Sequence, residues 1–189
     1  KEILISLNYL TNYEFIQNYI LCFADTPIFF LPIFLVYLWV FYSYKKNILK
    51  KEKLLYIFYS VVLWITISLL IQQVVHIDRP EEAIKWMWQL LLNHVPDASF
   101  PSDHATVSVA FLTSLFLFWY KNIWFIYLPF VIIMIISRVI LWVHWPFDII
   151  AWSLVWIFSS FIIFKYISQI KFIKNLNKFI IKIMWYIKL

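Results

Sequence analysis

In the twelve residues from Ser137 to Asp148 a serine, an arginine, a histidine and an aspartate stand together, in a chain that is otherwise almost entirely apolar. Ionisable groups at the edge of a hydrocarbon layer are expensive unless they are used, so this stretch is the first candidate for a working site. Pro146 suits the first turn of a helix, which puts His144 just ahead of that helix and Asp148 inside its first turn. From there a carboxylate can reach back to the imidazole, fix its tautomer and favour the charge it acquires as base or nucleophile. Two more polar clusters precede apolar runs, Arg79-Pro80 and Phe100-Pro101-Ser102-Asp103-His104. Brought together, the three supply guanidinium forks, free N–H groups at a helix start, a nucleophile and an acid, which is what a phosphate site needs.

The elements that must position these groups are membrane helices. With 64% hydrophobic and only 14% charged residues, the composition excludes a soluble globule. The expected fold class is all-α: an integral membrane bundle of about five transmembrane helices plus interfacial helices, in one domain over residues 1–189. Residues 1–24 read as an interfacial N-terminal helix, Pro27 to Tyr44 as span one, Leu54 to Val75 as span two and Ala105 to Tyr120 as span three. Span four runs from Ile123 to about Leu141, and span five from Pro146 to near Lys165. Residues 166–189, with lysines recurring every three or four positions, read as a basic amphipathic tail on the cytoplasmic surface. The net charge of +6 does not imply a nucleic-acid partner, because twelve of the 16 basic residues fall in two turns and this tail, where the positive-inside rule places them. That asymmetry puts the three polar clusters on the outer face of the cytoplasmic membrane. No signal peptide is expected, and the single cysteine, Cys22, reads as a buried thiol.

At the three clusters the sequence resembles the type-2 phosphatidic acid phosphatase superfamily of membrane lipid phosphatases. The family motifs are a lysine followed after six residues by Arg-Pro, then Pro-Ser-Gly-His, then Ser-Arg with five residues to His and three more to Asp. Here they read Gln72 with Arg79-Pro80, Pro101-Ser102-Asp103-His104, and Ser137-Arg138 with His144 and Asp148. The wording Phe-Pro-Ser-Asp-His-Ala-Thr with Val-His-Trp-Pro-Phe-Asp is most similar to the small bacterial undecaprenyl diphosphate phosphatases, over roughly residues 54 to 165. The resemblance implies a metal-independent phosphatase, without cofactor, that works through a phosphohistidine. His144 is the implied nucleophile with Asp148 orienting it, and His104 the group that protonates the leaving oxygen and later activates water. Arg79, Arg138 and Ser102 are the implied phosphate ligands. Gln72 replaces the family lysine, so one cationic contact becomes a neutral donor, and Asp103 replaces the family glycine.

The resemblance implies a polyprenyl diphosphate or phospholipid substrate taken from the bilayer, and recycling of the undecaprenyl carrier for cell-wall synthesis. Phosphatases of phosphatidylglycerophosphate, phosphatidic acid or lipid A, a lipid phosphotransferase, and a catalytically weak lipid-binding or transport protein stay open beside it; the oligomeric state is not legible. His76 and His94 read as ordinary loop residues, and Glu81 and Glu82 as solvated. The segment Ala83 to Leu92, with Trp86, Met87 and Trp88, reads as a short interfacial helix. The chain has no glycine, against an average of about 7%, and 11 tryptophans. Two accounts are open: a gene in which UGA was read as tryptophan where it specifies glycine, with Trp142 and Trp152 at frequent glycine positions of the family, or a strong A/T bias.

Overall fold

A computed structural model describes residues 6–75, 77–80, 100 and 102–186. The expectations for His76, Glu81, Glu82, Ala83 to Leu92, His94 and Pro101 lie outside the described residues. The described chain is all-helical: after a 3-10 turn at Tyr9–Asn12 come α1 (Glu14–Tyr44), α2 (Ile48–Gln72), α3 (Asp103–Leu117), α4 (Lys121–Ile140), α5 (Pro146–Lys165) and α6 (Lys171–Tyr186). By length and composition α1, α2 and α4 can each cross a membrane, and a fourth span is formed if the bent pair at the C-terminus, which turns by 84°, crosses as one. The protein is a helical membrane bundle.

α1 differs from the sequence reading. The amphipathic segment and span one form a single 31-residue helix that carries Pro27 and Pro32 inside it. At 1.5 Å per residue it measures about 46 Å, well over the roughly 30 Å of a hydrocarbon core. Its polar first turns are thus continuous with the apolar run that follows them.

α3 is the hub of the bundle. Ten of its 15 residues are buried, and it packs against α2, α4 and α5 while α1 packs against α4 and α2. At about 22 Å it is shorter than a full span, which suits a helix enclosed by others. In a chain without glycine the close crossings fall to serine and alanine. Ser114 Oγ donates to Ser60 Oγ at 3.0 Å between α3 and α2, and Ser160 Oγ to the Ala110 carbonyl at 3.4 Å between α5 and α3. Below these crossings Phe111, Leu115 and Phe118 meet Ile57 and Tyr56 in one apolar cluster with Leu31 and Leu38 of α1.

The two turns expected to be basic adjoin at one end of the bundle. Lys50 Nζ lies 3.5 Å from the Trp119 carbonyl, and Tyr120 OH donates to the Lys50 carbonyl at 2.8 Å. Burial pushes the Tyr120 phenol above its ordinary range, so it stays a donor. Near that end α6 lays Asn177 and Ile181 inward, and Tyr59 OH donates to Asn177 Oδ1 at 2.8 Å.

Three helices end in the same way. After α1, α3 and α4 the next-but-one residue is left-handed: Lys46 (φ 50°), Trp119 (φ 67°) and Trp142 (φ 61°). Each is followed by the paired bonds of a Schellman motif, for α4 from Trp142 N–H to the Val139 carbonyl and from Val143 N–H to the Arg138 carbonyl. Glycine is the residue this position ordinarily takes; here a lysine and two tryptophans hold it.

Candidate active site

The end of the bundle opposite the lysine turns collects the C-termini of α2 and α4 and the N-termini of α3 and α5. Ser102 caps α3: it is extended (φ −74°, ψ 114°), fully buried, and its Oγ accepts from Ala105 N–H at 3.4 Å. That cap fixes the start of α3, with His104 in its first turn. Arg138 sits in that last turn, 6% exposed. The left-handed turn at Trp142 then reverses the chain and delivers His144, 2% exposed, to the start of α5. Pro146 opens α5 as expected, and Asp148 in its first turn is buried. Asp148 Oδ2 accepts the Trp145 N–H at 3.4 Å, so this carboxylate does turn back toward the residue that follows His144.

The three motifs are tied together by named contacts. Arg79, buried beyond the end of α2, donates from Nη1 to the Val143 carbonyl at 3.1 Å, one residue from His144. Trp145 Nε1 donates to the Asp78 carbonyl at 3.1 Å, a second bond between the first motif and the third. The second motif joins the third through packing, with Ala105 of α3 against Val139, Trp142 and Ile149. From the N-terminal side Asn8 Nδ2 donates to the Ile140 carbonyl at 3.0 Å, and Ile20 and Ala24 of α1 pack on Ile140, Leu141 and Val143.

Gln72 and Asp103, the two departures from the family pattern, are bonded to each other. Asp103 Oδ1 accepts from Gln72 Nε2 at 2.9 Å and from Ser68 Oγ at 2.8 Å. The side chain expected to face phosphate is thus engaged by the carboxylate that stands where the family has glycine.

One residue of this site went unread in the sequence. Asp25 of α1 places a single oxygen, Oδ1, 2.6 Å from Arg138 Nη1 and 3.0 Å from His104 Nε2. It is the lone acid between Glu14 and Glu52, in the middle of an apolar helix, and an ionisable group at such a place is itself a signal. Among the described residues no cluster of three His, Cys, Asp or Glu side chains has the proximity a metal ion needs.

A bundle of membrane helices with two arginines, two histidines and a capped helix start gathered at one end belongs to a phosphate-handling class. The PAP2 superfamily profile matches residues 73–172, more than half of the chain, and the chain belongs to that superfamily, the membrane lipid phosphatases its motifs resemble. Among curated relatives, YbjG of Escherichia coli (strain K12), named as a candidate undecaprenyl-diphosphatase, is 45% identical over 62 residues, 32% of this chain and 30% of that protein. The bacitracin transport permease protein BcrC of Bacillus licheniformis is 27% identical over 168 residues, 87% of this chain and 78% of that one. No solved structure matches.

Proposed function

We propose that the protein hydrolyses the terminal phosphate of a polyprenyl diphosphate, undecaprenyl diphosphate first, at the outer face of the cytoplasmic membrane. The observation that carries this reading is the convergence of Arg79, Ser102, His104, Arg138 and His144 at one end of a membrane bundle. Site chemistry and surroundings agree with a lipid diphosphate. An apolar cavity of about 890 Å³ lies between α1 and α4, lined by Thr26, Pro27, Phe30, Ile33, Tyr127 and Phe130 among others, and the lining residues Phe23 and Thr26 flank Asp25 in the sequence of α1. From Cys22 to Phe41, both on its wall, α1 rises about 28 Å, nearly the hydrocarbon thickness. A long isoprenoid chain fits such a wall while its headgroup meets the arginines.

In this reading His144 attacks the terminal phosphorus, with Asp148 orienting it, and the P–O bond to the lipid phosphate breaks. His104 hands the leaving oxygen a proton. Water then attacks the phosphohistidine, His104 takes the water's proton, and the P–N bond breaks to restore His144. Arg79 and Arg138 hold the equatorial oxygens, each charge-assisted bond contributing about 1.5–3 kcal/mol, and the N–H groups behind Ser102 add the helix-start dipole. Gln72 supplies at most a neutral contact at the rim. No metal takes part.

The test is phosphate release from undecaprenyl diphosphate by detergent-purified protein in EDTA, beside His144→Ala. Release that survives EDTA and vanishes in the variant supports the reading. Release from phosphatidic acid or phosphatidylglycerophosphate alone would move the substrate to a phospholipid, and no release from any of them would leave a lipid-binding protein.

A further inference from the structure

We propose that Asp25 is a positioning residue for this reaction, holding the proton-transfer histidine and one phosphate-binding arginine in register from a helix outside the family motifs. The inference rests on the phosphatase reading above. Its basis is the single carboxylate oxygen that Arg138 Nη1 and His104 Nε2 share. His104 is on α3, Arg138 on α4 and Asp25 on α1, so one atom joins three helices.

A carboxylate only accepts, so the nitrogen facing it carries the hydrogen and Nε2 of His104 is committed as a donor. The working nitrogen is then Nδ1. As imidazolium, His104 gives the Nδ1 proton to the leaving oxygen when the P–O bond breaks, and its Nε2–H stays on Asp25. The neutral ring left behind has its lone pair on Nδ1, placed to take the proton of the attacking water. Without the anchor, the ring is free to turn and to present either nitrogen. Asp103, next to His104 in sequence, does not serve it; its Oδ1 is taken by Ser68 and Gln72. Arg138 gains from the same oxygen: with Nη1 anchored on Asp25, the guanidinium plane is set.

The position of Asp25 suits a group that acts through others. Its side chain is 36% exposed, and those of Arg138 and His104 are 7% and 22%. Thr26 and Pro27, the next two residues of α1, line the apolar cavity. The helix that orients the acid is therefore the one along which the lipid chain would run.

The experiment is a double-mutant cycle on purified full-length protein with undecaprenyl diphosphate, and with 4-nitrophenyl phosphate as a soluble second substrate. Asp25→Ala is expected to lower kcat about 10- to 100-fold, the loss typical when a carboxylate that orients a working histidine is removed, with KM changed less than about threefold. Asp25→Glu is expected to recover most of the loss. In a His104→Ala background Asp25→Ala is expected to cost at least about threefold less than in the wild type, because one of its two targets is gone and only the Arg138 contact is left to lose. Equal losses in both backgrounds, or no loss at all, would overturn the proposal. A second measurement does not depend on turnover: in 15N-histidine spectra His104, assigned with His104→Asn, is expected to show a hydrogen-bonded Nε2–H that Asp25→Leu, which has no acceptor, removes while His144 is unmoved. A His104 signal unchanged by Asp25→Leu sinks the proposal even if the protein hydrolyses nothing. Failure of wild-type hydrolysis with the expected spectra would instead sink only the phosphatase reading.

Discussion

Gln72 and Asp103 looked like two separate losses in the sequence, a missing cation and a missing glycine, and the bond of 2.9 Å between them makes them one feature. An amide and a carboxylate form a neutral-to-charged pair that holds the end of α2 against the start of α3, where Ser68 adds a second donor. Lysine at 72 would meet the same carboxylate, and its charge would be drawn to Asp103 before it reached phosphate. Gln72→Lys is therefore expected to raise kcat/KM less than about tenfold, under the full worth of a charged hydrogen bond. A larger gain, measured with the lipid diphosphate, would show that Asp103 does not hold position 72. Arg138 also meets a carboxylate, Asp25 through Nη1, but a guanidinium carries five N–H donors where an ammonium carries three, so it can hold Asp25 and phosphate together. Arg138→Ala is expected to lower kcat/KM by about 10²–10³, the effect of removing one donor to developing oxyanion charge.

The helix ends set the geometry of the site, and here the strain lies at their left-handed residues. A side chain in the left-handed region costs roughly 1–2 kcal/mol relative to glycine. Trp119 is 63% exposed, so its ring contributes little beyond a contact of 4.5 Å with Lys121 Nζ. Trp119→Gly is thus expected to stabilise the protein by about 1 kcal/mol, read as a higher thermal midpoint in detergent. Trp142 is 1% exposed and packs on Ala105, Val139 and Ile149, so removing its ring exchanges strain for a void beside the site. The same substitution at 142 is expected to lower the midpoint, and a rise at both positions would mean that the Trp142 ring adds no packing.

For the molecule as a whole, orientation is the open quantity that labelling settles. With Cys22 replaced by serine, a cysteine at Val74, which is 85% exposed, is expected to react with a membrane-impermeant maleimide from outside the cell. A cysteine at Tyr44, 82% exposed beside the lysine turn, is expected to react only after the membrane is opened. The reverse pattern would turn the protein over and place the site inside. The absence of glycine is a whole-chain property too. Two of the three left-handed positions are tryptophan, which favours the reassigned-codon account over composition bias. UGA codons at 119 and 142 are expected in the gene, and UGG codons there would return the matter to A/T bias.

Much of the architecture was legible in the residues because hydrocarbon is an undemanding reader. Long apolar runs, prolines and lysine turns are local signals, and α5 begins and ends at Pro146 and Lys165 as its residues suggest. The three motifs were legible for a similar reason: each is short, and its residue types suit one chemistry. Whether a polar helix start and an apolar span were two elements or one was not legible, since that depends on how far α1 extends beyond the bilayer. Nor were the pairings. Nothing in the spacing of residues 25, 104 and 138 says that one carboxylate oxygen meets both others, or that residue 72 turns to residue 103. Those contacts join helices distant in the chain, and only the packing of α1, α2, α3 and α4 against one another brings the partners within hydrogen-bond reach.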